Sequence, residues 1–332
     1  MAGRRRNRGR LHLPSCAEPA PSFFARAARG APLPAAGRTA ISVDMSEPPF
    51  GVAVQVEPLV ARVLAPNPSP YTYWGTQTYV VGATGAADVA VIDPGPDDAA
   101  HVDAIVAAAG SRRIAAILCT HTHRDHSPAA APLRARTGAA IVGCAPLSLD
   151  DAGPRADAAF DPAYAPDRVL ADGEEVAGDG WTLRAVATPG HTSNHLCYAL
   201  IESGALFTGD HVMAWSTSVV SPPDGDMAAY MASLERLMTR DDRIYYPAHG
   251  DAIDRPQRLV RGMIGHRKQR EGQILRLLRD APRAIPDMVA QMYAGLDPRL
   301  HGAAGRSVLA HLIDLENRGL VVGQEDRWRG VA

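Results

Sequence analysis

Apolar runs too short for helices, each closing on glycine, proline or a polar turn, recur through the middle of the chain. Ile114-Ala-Ala-Ile-Leu-Cys-Thr120 is apolar almost throughout and bounded upstream by Arg112 and Arg113, which predicts a buried strand. Trp181 to Thr188 alternates with a period of two and runs into Pro189-Gly190-His191. Ala205-Leu-Phe-Thr208 runs into Gly209-Asp210, and Ile244-Tyr-Tyr246 into Pro247-Ala-His249-Gly250. In each of these three a strand ends, a glycine or proline permits a sharp turn, and one His or Asp is presented. Helical spacing covers Ala99 to Ala109. It returns at Met227, Tyr230, Met231, Leu234, Leu237 and Met238, whose three-and-four spacing forms one apolar stripe for packing on a sheet.

The strand ending at Thr120 leads into His121-Thr-His-Arg-Asp-His126, where three His and one Asp fall within six residues. That is metal-ligand density. An irregular loop on a rigid strand can turn His121 and His123 toward one ion and Asp125 and His126 toward another. If the four strand ends converge on one edge, His191, Asp210 and His249 join them. Five His and two Asp suffice for two divalent ions.

These residues follow the pattern His-x-His-x-Asp-His, then a single His, a single Asp and a final His, and so resemble the metallo-β-lactamase fold superfamily. The resemblance implies His121, His123 and His191 on one metal, Asp125, His126 and His249 on the other, and Asp210 as the bridge. It implies an α+β fold, a four-layer αββα sandwich. Thr-Pro-Gly-His-Thr192 and Phe-Thr-Gly-Asp210 look more like the glyoxalase II side of the superfamily than like true β-lactamases. A closer likeness spans roughly residues 66–330 and rests on Asn67-Pro-Ser-Pro70, Gly75-Thr-Gln-Thr-Tyr-Val-Val-Gly82, Asp93-Pro-Gly95, Tyr230-Met-Ala-Ser-Leu-Glu-Arg-Leu237, His266-Arg-Lys-Gln-Arg-Glu271 and Ser307-Val-Leu-Ala-His-Leu312. These resemble the β-lactamase-like protein 2 family, whose members include an endoribonuclease acting on single-stranded RNA, with related fungal thioesterases acting on carrier-bound polyketides. The chain departs from that pattern at Gln77, usually Asn, and at Asn194, commonly Asp.

His and Asp ligands without a ligating Cys suit two Zn²⁺, with Mn²⁺ or Fe²⁺ compatible on ligand type. Two such ions share a water held as hydroxide, and one Zn²⁺ alone can lower water's pKa from 15.7 to about 7. The expected chemistry is hydrolysis of an ester-type bond by the bridging hydroxide, with Asp125 orienting it and Asp210 holding the ions together. Single-stranded RNA is the leading substrate and a small-molecule thioester, as in glyoxalase II, the alternative. Two further readings are an iron-dependent persulfide dioxygenase on the same fold and a non-catalytic nucleic-acid-binding protein, against which stands the completeness of the ligand set. Asp93, after the apolar Val89 to Ile92, and His195, four residues after His191, are candidates to support the ligands from behind. His211, after Asp210, reads as a packed or solvated residue ahead of a substrate contact, and Ser216 and Thr217 are placed where a substrate loop could lie. His101, His301 and His311 read as surface or helix-packing residues.

Charge divides the chain. Residues 1–44 hold eight Arg and two acids without apolar periodicity and read as a disordered leader, a transit peptide or a mis-called start before Met45. Residues 45–254 are acidic and form the catalytic domain. Residues 255–332 hold fourteen basic and eight acidic residues. There, helices over about 258–280, 286–293 and 306–317 precede a hairpin over 321–329, which resembles a winged-helix domain. Its Arg267, Lys268 and Arg270, and Arg327-Trp328-Arg329, are candidate RNA contacts; packing or homodimerisation is the alternative role. The four Cys, at 16, 119, 144 and 197, show no paired spacing. Reduced thiols in a cytoplasm are expected, or an organelle matrix if the leader is a transit peptide. No apolar run is long enough to span a membrane.

Overall fold

A computed structural model describes residues 49–147, 160–297 and 300–331. The leader expected over residues 1–44, with Met45, lies outside the described residues. In chain order the elements are β1 (Ala53–Glu57), β2 (Val60–Leu64), β3 (Gln77–Val81), β4 (Asp88–Ile92), α1 (Ala99–Ala109), β5 (Arg113–Cys119), α2 (Ala130–Thr137), β6 (Ala140–Gly143) and β7 (Arg168–Val169). These strands form one sheet in the order β1-β2-β3-β4-β5-β6-β7, antiparallel up to β4 and parallel from β4 to β7. Next come β8 (Glu175–Gly178), β9 (Trp181–Ala187), β10 (Leu196–Leu200), β11 (Ala205–Gly209), α3 (Met227–Met238) and β12 (Ile244–Pro247). The second sheet runs β12-β11-β10-β9-β8.

Alternation along the strands explains the layering. In β10, Leu196, Tyr198 and Leu200 enter the core between the sheets, whereas Cys197 and Ala199 face outward under α3. β11 does the same, with Ala205 and Phe207 inward and Leu206 outward. Both faces are therefore apolar, and each needs a cover. The stripe Met227, Tyr230, Leu234 and Leu237 of α3 covers the outer face. α1 and α2 pack on the first sheet, and Tyr79 meets Phe207 and Tyr246 at ring-centroid distances of 5.0 and 5.6 Å between the sheets. The result is the expected αββα sandwich. Each fully buried Val, Leu, Ile or Phe in it contributes about 1.5–3 kcal/mol.

Strand direction places the site. β4 and β5 are parallel, so Ile92 and Cys119 end on the same edge. β9 and β11 are each antiparallel to β10, and β12 is parallel to β11. The three strands of the second sheet that lead into His191, Asp210 and His249 therefore point the same way, and their C-terminal ends meet those of β4 and β5.

The remaining chain forms α4 (Pro256–Asp280), β13 (Arg283–Ala284), α5 (Ile285–Met292), α6 (His301–Asn317), β14 (Val321–Gln324) and β15 (Arg327–Gly330). Helices and hairpin fall where the pattern predicts them, with two differences. α6 begins at His301, five residues before the predicted start, because Gly302, Ala303 and Gly305 carry no apolar period. β13, two residues long and invisible to any periodicity, adds a third strand in the order β13-β15-β14. The first turns of α4 place Val260 and Met263 under α3, and its last turns place Ile274 and Leu278 in a separate core with Met288, Val308, Leu312 and Val321. One helix is thus common to both cores. Among the described residues no helix is long and apolar enough to cross a membrane, and Cys119, Cys144 and Cys197 are free and buried.

Tyr198 pins one sheet to the other by donating its hydroxyl to the carbonyl of Cys119, at the end of β5, at 2.6 Å. Tyr198→Phe removes the donor from a dry environment and is expected to cost about 1–3 kcal/mol, read as a lowered urea midpoint with an unchanged m value.

Candidate metal centre

Each ligand candidate sits on a turn the local sequence makes possible. At Gly190 a Cβ would lie 2.3 Å from the Cα of Tyr230, so only glycine lets the His191 turn press against α3. At Gly209, with φ +48°, a Cβ would meet Thr120 Oγ1 at 2.6 Å and His195 Nε2 at 2.7 Å. Asp93 adopts φ +47°, strain for a non-glycine residue that its bonds offset. Its Oδ1 accepts from the Thr120 amide at 2.7 Å, and its Oδ2 from Thr120 Oγ1 at 2.8 Å and His126 Nδ1 at 3.1 Å.

The seven candidates converge as two groups, His121, His123, His191 and Asp210 in one and Asp125, His126 and His249 in the other, with the facing atoms of each group within 4.8 Å of one another. His123 Nδ1 lies 3.0 Å from His121 Nε2 and 3.2 Å from His191 Nε2. Zn–N bonds of 2.0–2.1 Å at tetrahedral angles separate ligand nitrogens by about 3.3 Å, so these distances fit. Asp125 Oδ2 stands 3.4 Å from His126 Nε2 and 3.2 Å from His249 Nε2. Asp210 faces both groups, its Oδ2 at 3.6 Å from His191 Nε2 and its Oδ1 at 3.2 Å from His249 Nε2 and 3.5 Å from His126 Nε2.

The outer ring nitrogens decide what the inner ones can do. His191 Nδ1 donates to the Val219 carbonyl at 2.6 Å, His249 Nδ1 to the Gly75 carbonyl at 3.1 Å, and His126 Nδ1 to Asp93. Thr120 Oγ1 gives its own proton to Asp93 and so accepts from His121 Nδ1, 3.0 Å away. With those protons spent outward, four imidazoles aim lone pairs inward. This is how outer contacts orient metal-binding histidines. His126 Nε2 and Asp210 Oδ1 are buried without a hydrogen-bond partner. Converging lone pairs and an unpartnered carboxylate oxygen are the donor set a divalent cation satisfies. The residues fit two ions.

Electrostatics agree. Burial raises the carboxyls of Asp125 and Asp210, but His126 and His249 beside them more than reverse this and hold both well below the usual carboxylate range. Burial lowers His249, and Asp210 and Asp125 overcome it, lifting the imidazole to about 10. The pocket selects positive charge, and an arriving cation displaces that proton. At the other group burial dominates and the neighbouring imidazoles add to it, keeping His121 neutral and holding His123 down at about 3.

The remaining candidates separate. Asp93 lies behind Thr120 and His126, bonded to both. His195 is buried, bonded through Nδ1 to Thr188 Oγ1 at 2.8 Å, with its ring 5.2 Å from that of His121. It packs behind that ligand and makes no bond to it. His211 is fully buried against Tyr230, which removes it from any substrate surface. Ser216 and Thr217 are half-buried beside Trp215, and Ser216 Oγ donates to the Thr217 carbonyl at 3.3 Å. His101, read as surface or helix packing, is buried and bonded to Thr78 Oγ1 at 2.8 Å. Gln77 and Asn194 both brace loops. Gln77 Nε2 donates to the Gly250 carbonyl, and Asn194 Nδ2 donates to Thr122 Oγ1 at 3.2 Å and to the Ala145 carbonyl at 2.7 Å.

Sequence reasoning missed three parts of the site. Thr120 was legible as a polar residue closing an apolar strand. The Gly75 and Val219 carbonyls left no trace, because a backbone acceptor has no side-chain signature. The third is a wall of Tyr73, Trp74 and Trp215. Tyr73 stacks on Trp215 at 5.2 Å and lies 5.0 Å from Trp74, and the Trp215 indole packs on Gly250, next to His249. Asn67 holds the loop carrying Tyr73, accepting from the Thr76 amide through Oδ1 and donating to Thr76 Oγ1 through Nδ2, both at 2.9 Å.

Of the basic C-terminal candidates, Arg267 and Arg270 are committed within the protein, whereas Lys268, Arg327 and Arg329 are exposed. Arg267 is buried, and Arg270 donates to the Met292 carbonyl at 3.0 Å with its guanidinium 4.4 Å from the Tyr293 ring centroid. Lys268 lies 3.7 Å from Glu235, and Trp328 packs against the C-terminal core of Ile274, Leu278 and Val308.

Comparison with known proteins agrees with this geometry. The sequence model of the Metallo-beta-lactamase superfamily matches residues 71–249, and that of the Beta-lactamase associated winged helix domain matches residues 284–328. The chain is 33% identical over 248 residues to the Beta-lactamase-like protein 2 homolog of Caenorhabditis elegans, covering 71% of this chain and 76% of that protein. It is 32% identical over 236 residues to an atrochrysone carboxyl ACP thioesterase of Cryptosporiopsis sp. (strain 8999), covering 70% of this chain and 66% of that relative, just under two thirds of its length. A Beta-lactamase domain protein from Burkholderia ambifaria shares the fold at a TM-score of 0.72 and 20% identity, over 87% of this chain and 96% of that one. The chain belongs to the metallo-β-lactamase superfamily and carries its associated winged-helix domain. Its two His/Asp clusters are those of a binuclear hydrolase site.

Asp93→Asn keeps the shape of the carboxylate but removes its charge from behind His126. A 10- to 100-fold loss of zinc affinity at the Asp125/His126/His249 group is expected, measured by competition with a chromophoric chelator.

Proposed function

We propose that the protein is a metal-dependent hydrolase of thioesters. The observation that carries this reading is the convergence of the two groups with Asp210 facing both, a geometry suited to holding two ions close together. Divalent ions held there supply Lewis acidity and bring water's pKa toward neutrality, so no separate strong base is required. His121, His123 and His191 would hold one ion and Asp125, His126 and His249 the other, with Asp210 setting their spacing. Asp125 accepts from Thr76 Oγ1 at 3.4 Å, which fixes the carboxylate as an acceptor for the attacking water.

Three observations support a thioester over an RNA phosphodiester. A relative that matches most of this chain is an acyl-carrier-protein thioesterase by name. The Tyr73, Trp74 and Trp215 wall offers an apolar, flat surface beside His249, suited to an acyl group and carrying no charge for a phosphate backbone. Arg267 and Arg270 of the C-terminal unit, candidates for phosphate contact, are spent on internal carbonyls and rings.

The test is a panel of acyl-pantetheine thioesters beside a labelled single-stranded RNA. Thioester turnover is expected, abolished by chelation and restored by zinc, with no RNA cleavage. RNA cleavage without thioester turnover would overturn the substrate class and leave the hydrolase. Asp210→Ala is expected to keep the fold by circular dichroism and lower kcat/KM by about a thousandfold or more. Retained activity with metal bound would sink the two-ion mechanism.

A further inference from the structure

Segment 211–222 follows Asp210, has no regular secondary structure and yet has no exposed residue, half of it being buried and the rest half-buried. Its backbone polar groups need partners from elsewhere. Ser218 Oγ donates to the His211 carbonyl at 2.7 Å, and Tyr230 of α3 donates to the same carbonyl at 3.1 Å. The Val219 carbonyl holds His191 Nδ1. The neighbouring Ser218 carbonyl is held by Arg267 Nη2, which reaches in from α4.

Arg267 is only 4% exposed. Its Nη1 donates to Ser307 Oγ of α6 at 3.2 Å, and its guanidinium carbon lies 5.2 Å from the centroid of the Tyr230 ring. Among the described residues it has no carboxylate partner. A buried guanidinium without one is costly, and here carbonyl oxygen, hydroxyl and aromatic face replace the counter-ion. Arg306 of α6 adds a second anchor, donating to the Pro222 carbonyl at 3.1 Å. Two C-terminal helices thus grip the segment on which His191 leans, and Arg267 and Ser307 belong to two sequence motifs the hydrolytic chemistry leaves unexplained.

We propose that Arg267 is a positioning residue through which the C-terminal unit sets the His121/His123/His191 group. By fixing the Ser218 carbonyl it fixes that of Val219, one residue on, and so the tautomer and direction of the His191 ring. The winged-helix unit then serves the hydrolytic site by completing it. This rests on the metal-centre reading above, but its test needs no substrate.

Zinc affinity of each of the two sites is measured by chelator competition on the full chain. Arg267→Met keeps the volume and removes the donors. It is expected to weaken one of the two zinc equivalents about tenfold and leave the other within about threefold. Arg267→Lys, with one donor point in place of a fork, should fall between. Arg270→Met is the matched control, because that arginine grips α5 instead of the site segment. It should lower the melting temperature without moving either zinc affinity. Unchanged zinc affinities in Arg267→Met, or equal losses in Arg267→Met and Arg270→Met, would overturn the proposal. Should Arg267→Met not fold, Arg267→Lys and Ser307→Ala carry the same comparison, and unchanged zinc affinities in both overturn it. His191→Ala separates the two levels. If it too leaves both zinc equivalents intact, the metal-centre reading fails, independently of Arg267.

Discussion

Five imidazoles and two carboxylates are packed into one buried edge, with lone pairs and charged oxygens aimed at each other across 3.0–3.6 Å. Such an arrangement is unfavourable unless positive charge sits among the donors. Much of the surrounding structure serves this requirement. Asp93 keeps a strained backbone angle to brace Thr120 and His126, glycines stand where any side chain would collide, and carbonyls from distant segments take up the outward N–H groups.

Those carbonyls connect the site to the rest of the molecule. Gly75 belongs to the loop that presents Tyr73 and Trp74, so the group that orients His249 is continuous with the aromatic wall beside it. Val219 belongs to the segment gripped by α4 and α6, so the group that orients His191 is continuous with the C-terminal unit. Each half of the centre is thereby tied to a different part of the fold. Because α4 contributes to both cores, the C-terminal unit cannot shift without disturbing the packing beneath α3.

Much of this was legible in the sequence. The strand ends, the glycine turns and all seven converging residues could be read because each is a side-chain signal at a strand terminus, and the strands themselves alternate cleanly. Less was legible where the signal is backbone or distant. β13 is too short to show a period, and the early start of α6 is hidden by its glycines. Arg267 looked like one of several charges on a basic helix. Only its 4% exposure and its bonds to Ser218 and Ser307 separate it from Lys268, its exposed neighbour in the chain.

By itself the sequence determined the alternation of strands and helices and the identities of the donor residues, because these depend on local periodicity and on residue type at turns; the layering followed only from the superfamily that the donor spacing resembles. Tertiary structure alone decided which nitrogen of each imidazole faces inward, which arginines are spent on the protein's own backbone, and that Tyr73 and Trp215 stack beside His249. Those outcomes depend on contacts between segments far apart in the chain, often through main-chain atoms that are the same in every residue.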